Sequence, residues 1–172
     1  MKFKGSLVSL RNFYGGHMNL LFRKATPHDL KSLLVLEEQC FTYDRLTARS
    51  FRWMISRAHA SLIVAQAGGQ LMGYCLVLFR RGTSLARLYS IAIASHSRGL
   101  GLGKQLLDQA QESARAHECT CLRLEVRPDN PVALSLYERN GYRRFAVVPD
   151  YYEDHVHALR LEKRILHSRE SR

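Results

Sequence analysis

Long apolar runs are missing from this sequence. The longest, such as Leu71–Phe79, have the length of a strand, far below the roughly 18 apolar residues that cross a bilayer as a helix. The first 17 residues have only a weak apolar centre and no small-residue cleavage site after it. The sequence therefore predicts neither a membrane-spanning helix nor a secretory signal, and it indicates a cytoplasmic protein.

Cysteine pairs at metal-binding spacing are also missing. The four cysteines are Cys40, Cys75, Cys119 and Cys121, and none of them forms a C-x2-C pair. Cys119 and Cys121 lie on one face of a predicted strand, where the backbone is too extended for an easy disulfide. We predict buried, reduced thiols and no metal site, because His155 and His157 have no further ligands at a recognisable spacing.

Acidic residues are scarce, with 15 Asp and Glu against 26 Lys and Arg, so the formal net charge is +11. Such an excess prompts a nucleic-acid hypothesis. However, the basic residues are spread along the chain, and no helix-turn-helix or aromatic-basic surface motif accompanies them. The sequence favours a solvated basic surface that attracts anions, and it argues against nucleic acid as the partner.

The 172 residues, 46% of them hydrophobic, fit one α/β domain. We predict this domain over 19–167, after a loosely ordered extension at 1–18 and before a basic tail at 168–172. The predicted strands are Asn19–Lys24, Ser61–Ala67, Gln70–Phe79, Leu85–Ala94, Thr120–Arg127, Tyr142–Val148 and Val156–Ile165. The predicted helices begin at Pro27 after Thr26, after Thr47, at Gly101 and at Pro131, and they end near Cys40, Arg57, His117 and Asn140.

A glycine-rich segment follows the predicted strand that ends at Ala94. Gly99, Gly101 and Gly103 lead directly into an amphipathic helix, which leaves unpaired backbone N–H groups at a helix N-terminus, where an anion can bind. The spacing fits neither the G-x-G-x-x-G dinucleotide fingerprint nor the phosphate-binding loop of nucleotide hydrolases.

A second patterned segment runs from Leu124 to Tyr142. Here Asn130 is a predicted helix cap, Tyr137 lies about two turns along that helix, and Gly141 is a natural terminator.

Both segments resemble signatures of the GNAT acetyltransferases. Arg98-x-x-Gly101-x-Gly103 matches the R/Q-x-x-G-x-G/A pattern, and 124–142 is similar to the second signature. The resemblance extends over about 20–166. Leu-Glu-Val-Arg at 124–127 and the spacing of Asn130 and Tyr137 are most similar to the RimI-type enzymes that acetylate ribosomal-protein N-termini. The chain departs from them at 155–157, where relatives often have glycine and acidic residues.

The resemblance implies a fold and an acetyl-CoA site. The fold is a mixed, mostly antiparallel sheet of about seven strands, with splayed central parallel strands and the four predicted helices on both faces. Pantetheine would pair with the strand, the pyrophosphate would bind the glycine-rich segment, and Asn130 would bind pantetheine near its reacting end. The implied cofactor-binding residues, besides Asn130, are Ile91, Ala92, Ile93, Arg98, Gly99, Leu100, Gly101, Leu102, Gly103 and Lys104.

The same resemblance suggests roles in catalysis and acceptor binding. Glu125, or a water it holds, is the candidate general base, and Tyr137 is the candidate general acid toward the coenzyme A sulfur. The alternatives are a surface ion pair for Glu125 and a core aromatic for Tyr137. Tyr151 and Tyr152 either line a peptide-binding groove or simply pack their loop.

We therefore predict an acetyl-CoA-dependent N-acetyltransferase, monomeric or homodimeric, that acts on a protein or peptide N-terminal amine. One alternative is a GNAT enzyme for a small amine such as a polyamine, amino acid or antibiotic. Another is a non-catalytic acyl-CoA-binding or nucleic-acid-associated module.

Overall fold

A computed structural model describes residues 6–11, 17–57 and 59–165. One sheet has the strand order β1-β2-β3-β4-β5-β6-β8-β7. Its strands are β1 Ser6–Arg11, β2 His17–Lys24, β3 Ala60–Ala67, β4 Gln70–Phe79, β5 Leu85–Ile93, β6 Cys121–Val126, β7 Arg143–Val148 and β8 Ala158–Arg164. The helices are α1 Leu30–Cys40, α2 Ala48–Ser56, α3 Leu102–Ala116 and α4 Pro131–Arg139. In these described ranges, no helix has the length and apolar character to cross a bilayer.

The N-terminal strand β1 differs from the sequence prediction. A loosely ordered extension was expected over 1–18, yet Ser6–Arg11 pairs with β2 along its whole length, from Ser6 opposite Phe22 to Arg11 opposite His17. The pairing covers the backbone groups at the edge of β2, which would otherwise be unpaired. This strand makes the described sheet eight-stranded rather than about seven. Residues 1–5, 12–16 and the predicted tail 168–172 lie outside the described residues.

The two central strands β5 and β6 run parallel and separate part-way along. Their pairing extends from Leu85 opposite Cys121 to Leu88 opposite Leu124. Beyond that point β5 stays with β4 as far as Ile93, while β6 stays with β8 as far as Val126. A gap therefore opens between 89–93 and 125–126, as the predicted splay requires.

Helices cover both faces of the sheet. Leu106 and Leu107 of α3 are fully buried in the larger core on one face. On the other face, Phe51 of α2 packs edge-on against Tyr74 of β4, with ring centroids 5.7 Å apart. Burying these apolar faces is the main force that holds helices and sheet together. The two layers fix the ends of β5 and β6 where the strands separate.

Candidate active site

A cavity of about 650 Å³ lies at the separation of β5 and β6. Its walls come from the end of α1 and the loop after it, from β5 and β6, from the start of α4, and from the loop between β7 and β8. The cavity brings together six residues singled out from the sequence, namely Ile91, Glu125, Asn130, Tyr137, Tyr151 and Tyr152. The other predicted cofactor-binding residues do not line it.

Tyr137 is a buried aromatic that also lines the cavity. Its side chain belongs to the larger core and its ring lies 5.8 Å from that of Tyr142. Both sequence interpretations, core aromatic and site residue, therefore describe its position. Burial raises the pKa of Tyr137 well above that of an ordinary phenol, and nearby Tyr152 adds to the shift. The hydroxyl group is therefore protonated at neutral pH and is available as a proton donor.

Asn130 caps α4, as predicted. Its Oδ1 accepts a hydrogen bond from the Ala133 N–H at 3.1 Å. The cap holds the side chain at the cavity wall and uses only one of its polar groups. Among the described residues, its Nδ2 has no hydrogen-bond acceptor, so this donor is left for a ligand.

Glu125 is held between two arginines. Its Oε2 accepts from Arg87 Nε at 2.8 Å, its Oε1 accepts from Arg160 Nε at 3.0 Å, and only 8% of its side chain is exposed. The surface ion pair considered from the sequence is thus present, but it is nearly buried and it lines the cavity. Each carboxylate oxygen of Glu125 thus accepts from one guanidinium group, which fixes the side chain in the cavity wall.

Tyr151 and Tyr152 form one wall of the cavity. Their rings meet edge-on with centroids 4.9 Å apart, and Arg127 lies over the ring of Tyr152 at 4.9 Å. Arg127 also pairs with Asp154 at 2.7 Å, which closes the loop. In the same loop His155 has a φ of 65°, a conformation that favours glycine.

The glycine-rich segment forms an open turn before α3. Gly99 and Gly101 have φ values of 77° and 79°, which glycine adopts without steric cost. The backbone N–H groups of 99–104 have no acceptor among the described residues, since the first capping bond is Gln105 to Gly101. A Cβ on Gly103 would lie 3.2 Å from Ile93 Cδ1 and from Leu136 Cδ2. The turn therefore presents free backbone N–H donors, and the chain beneath them is closely packed at Gly103.

The edge of β5 connects this turn to the cavity. The Ala94 N–H donates to the carbonyl of Met72 in β4 at 2.9 Å. Because successive residues of an antiparallel strand point their backbone polar groups to opposite sides, those of Ile93 and Ile91 point away from β4, into the gap. The Cys40 thiol donates to the Ile93 carbonyl at 3.3 Å from that direction. Ala92 faces β4 with its backbone, so of the three predicted strand residues only Ile91 and Ile93 offer hydrogen bonds to a ligand in the gap.

Several site residues were not predicted from the sequence. Glu37 of α1 lines the cavity and is only 2% exposed. It accepts a hydrogen bond from the hydroxyl of Tyr74, which also hydrogen-bonds Ser90 Oγ at 2.8 Å. One sequence signal existed, because Glu37 stands seven residues after Leu30 on the apolar face of a predicted helix. Arg87 had no such signal.

Among the described residues, the cysteines and histidines do not cluster at this site. All four cysteines are free, and burial raises the pKa of the Cys75 thiol to about 12. His155 pairs with Asp150 at 2.5 Å on the exposed side of its loop. Over the described part of the chain, no three metal-ligating side chains come together.

Comparison with known proteins identifies the family. Residues 28–142 match the acetyltransferase (GNAT) family. The chain belongs to the GNAT family. A protein of Methanocaldococcus jannaschii named an uncharacterized N-acetyltransferase is 30% identical over 146 residues, covering 84% of this chain and 92% of that protein. The N-alpha-acetyltransferase RimI of Mycobacterium tuberculosis is 30% identical over 130 residues, covering 74% and 80%.

Solved structures of GNAT acetyltransferases share the fold. Ard1 from Thermoplasma volcanium superposes with a TM-score of 0.79 at 24% identity, covering 86% of this chain and 99% of that one. The PaiA N-acetyltransferase from Thermoplasma acidophilum, solved in complex with coenzyme A, has a TM-score of 0.72 at 19% identity, covering 84% and 98%. This chain is thus an acyltransferase, a GNAT N-acetyltransferase, built on an α/β sheet that opens between β5 and β6.

Proposed function

We propose that this GNAT enzyme transfers the acetyl group of acetyl-CoA to the α-amine of a protein or peptide N-terminus, by direct attack in a ternary complex. The observation that carries the proposal is the single cavity in which Glu125, Asn130, Tyr137, Tyr151 and Tyr152 meet. The cavity lies beside 88–91 of β5, where β5 separates from β6. A donor bound along β5 and an acceptor entering past the tyrosines would meet there.

Four features of the chain support acetyl-CoA as the donor. The free N–H groups of 99–104 suit a pyrophosphate, since they lie at the N-terminus of α3. The polar groups of Ile91 and Ile93 suit the amides of pantetheine, which would add to β5 as a strand does. The Nδ2 of Asn130 suits a carbonyl of the same arm. The basic balance of the chain, +11, suits a polyanionic ligand.

Acetyl transfer to an amine needs two proton movements. Bound acetyl-CoA supplies the acetyl group as a thioester. Tyr137, neutral because burial raises its pKa, would donate the hydroxyl proton to the sulfur as the carbon–sulfur bond breaks. Glu125 would accept a hydrogen bond from the acceptor amine, directly or through water, and hold it in line. An α-amine with a pKa near ~8 is already about a tenth neutral at pH 7, against under about a thousandth for lysine.

The cavity walls and the names of the relatives support this acceptor class. The cavity is lined by the tyrosine loop and by the loop after α1, and a chain end would enter past them. The Mycobacterium tuberculosis relative is named an N-alpha-acetyltransferase, and a 28% identical relative from Bacillus subtilis is named a putative ribosomal protein bS18-alanine N-acetyltransferase. These names favour an N-terminal amine over a free small amine.

Coenzyme A release from acetyl-CoA tests the proposal. The acceptors are peptides with free N-termini, the same peptides with blocked N-termini and one internal lysine, and small amines including a polyamine. We expect turnover that requires the free N-terminus. Turnover confined to small amines would keep the donor site and overturn the acceptor. Binding of acetyl-CoA without turnover on any acceptor would overturn the proposed enzyme function.

A further inference from the structure

Glu37 is a carboxylate that the proposed reaction does not yet use, although it lies in the wall of the same cavity. It is 2% exposed, sits on α1 and lines the cavity that Glu125 also lines. Its Oε2 accepts from the Leu46 N–H at 2.6 Å, and its Oε1 accepts from the hydroxyl of Tyr74. No arginine or lysine hydrogen-bonds to it in the described residues, whereas Glu125 has two arginine partners.

Tyr74 extends this pair toward the cavity. Its hydroxyl is buried and lies 2.8 Å from Ser90 Oγ. Because the single phenolic proton is donated to Glu37, the contact with Ser90 must use a proton from the serine. Ser90 is half-buried, and it lines the cavity beside Tyr89 and Ile91. Three side chains from α1, β4 and β5 therefore form a directed chain of hydrogen bonds that ends at the cavity.

We propose that Ser90, Tyr74 and Glu37 form a proton relay that carries a proton from the acceptor amine to the buried carboxylate of Glu37. The proposal rests on the proposed function. One proton of the ammonium form passes to Ser90 Oγ, the serine proton to the Tyr74 oxygen, and the tyrosine proton to Glu37 Oε1. The neutral amine nitrogen then bonds to the acetyl carbon, the carbon–sulfur bond breaks, and the sulfur takes the proton of Tyr137. The second proton leaves the nitrogen as the amide forms and returns to Tyr137, so Ser90, Tyr74 and Tyr137 end as they began and Glu37 ends protonated.

The surroundings of Glu37 suit the acceptor of a proton. Burial raises the pKa of Glu37, and the hydrogen bonds from Tyr74 and Leu46 and the charge of Arg45 offset this only in part. Cys40, one turn further along α1, lines the same cavity. Burial and the charge of Glu37 raise the pKa of Tyr74, so the tyrosine passes a proton on without staying ionised. Glu125, paired with two cations, instead positions the amine.

The pH dependence of kcat/KM on a free N-terminus separates a relay from a structural defect. An α-amine loses its own proton above a pKa near ~8, so a broken relay should matter less as the pH rises. We expect Ser90→Ala and Tyr74→Phe to lose about tenfold or more at pH 7, and to recover to within about twofold above pH 9. Ser90→Ala leaves the Tyr74–Glu37 bond in place, so it is the variant least able to disturb folding.

Matched variants and a second readout complete the test. Ser61 and Tyr142 are buried and their hydroxyl groups have no partner among the described residues, so Ser61→Ala and Tyr142→Phe are controls that should follow the parent at every pH. Glu125→Gln should lose activity equally at all pH values. In the parent without ligands, the infrared C=O band of a protonated carboxyl group should disappear only at a pH above the ordinary carboxylate range. This band should be absent in Glu37→Gln.

A loss in Ser90→Ala that is the same at pH 7 and pH 9, or no loss at all, overturns the relay while parent turnover leaves the proposed function intact. A pH-dependent loss in Glu125→Gln instead would assign the proton to Glu125. A parent without turnover on any free N-terminus removes the proposed function itself, and the relay with it.

Discussion

Arg87 Nη2 donates a hydrogen bond to the hydroxyl of Tyr151 over 2.5 Å, and this contact joins β5 to the loop between β7 and β8. The same guanidinium donates from Nε to Glu125. One side chain thus connects the tyrosine wall to the carboxylate in the gap. Burial and the charge of Glu125 raise the pKa of Tyr151, so the tyrosine stays neutral beside the arginine.

Replacing Arg87 should loosen the acceptor wall. In Arg87→Gln the tyrosine loses its partner, and we expect KM for the peptide to rise about tenfold, as the loss of one or two hydrogen bonds to a charged group predicts. The dissociation constant for coenzyme A should not change. Steady-state kinetics with varied peptide, and calorimetry with coenzyme A, measure the two quantities. Arg160→Gln removes the other partner of Glu125 but no hydrogen bond of the described residues to Tyr151, so its peptide KM should change less. Equal effects in both variants would contradict the wall assignment.

Removing the hydroxyl group of Tyr137 should slow the chemical step. We expect kcat of Tyr137→Phe to fall on the order of a hundredfold, the usual contribution of a general acid, with little change in coenzyme A affinity. Tyr142→Phe is the matched control, because its ring lies 5.8 Å away and its buried hydroxyl has no partner among the described residues. If kcat drops alike in both variants, the cause is packing rather than proton donation.

The conformation of Gly101 should matter for the donor site. Its φ of 79° is left-handed, and a Cβ there would meet no atom within 4 Å, so Gly101→Ala introduces backbone strain of about 1–2 kcal/mol without a clash. We expect weaker coenzyme A binding, because relief of the strain turns the N–H groups of the loop away. Gly82→Ala has a similar φ of 72° and equally open space in a distant turn. Only the first should weaken binding in calorimetry, and a shared loss would argue against the loop as the pyrophosphate site.

The ion pair of Asp29 and Arg23 should make the free energy of unfolding depend on pH in the acidic range. Burial opposes ionisation of Asp29, but the hydrogen bonds from Arg23 at 2.7 Å and from Thr26 outweigh it, and the pKa is lowered. A lowered pKa stabilises the fold above the unfolded value near ~3.9, and this is lost as the pH falls through the folded value. Asp29→Asn should cost about 2 kcal/mol at pH 7 in denaturant unfolding, and the difference should shrink below about pH 4. Glu112→Gln, at an exposed i,i+3 pair, should cost well under about 1 kcal/mol.

Local signals in the sequence predicted much of the fold. Thr47 and Asn130 cap their helices as expected, each accepting from a backbone N–H three residues later. Gly99 and Gly101 form the turn before α3, and the four helices lie within a few residues of their predicted bounds. Caps and turns depend on residues within one turn of each other, so the order of amino acids is enough to predict them.

Other features escaped prediction because they depend on neighbours distant in sequence. β1 has no clear apolar period of its own, and it forms a strand by pairing with the edge of β2. Nothing in the sequence around Tyr74 indicated that its hydroxyl group donates a hydrogen bond to Glu37. The residue could equally have been a core aromatic without a polar partner. The residue type alone did not indicate whether Glu125 would face solvent or pair with an arginine.

The order of amino acids by itself determined where strands and helices begin, where the glycine turn lies, and that Asn130 and Tyr137 share one helix. Only the tertiary structure decided which charges meet. Arg87 and Glu125 are 38 residues apart, and Tyr74 and Glu37 are 37 apart. Such pairs depend on strand register, because a slip of one residue turns every side chain to the opposite face of the sheet. Register is set by burying the apolar faces of the whole sheet together, which no short stretch of sequence contains.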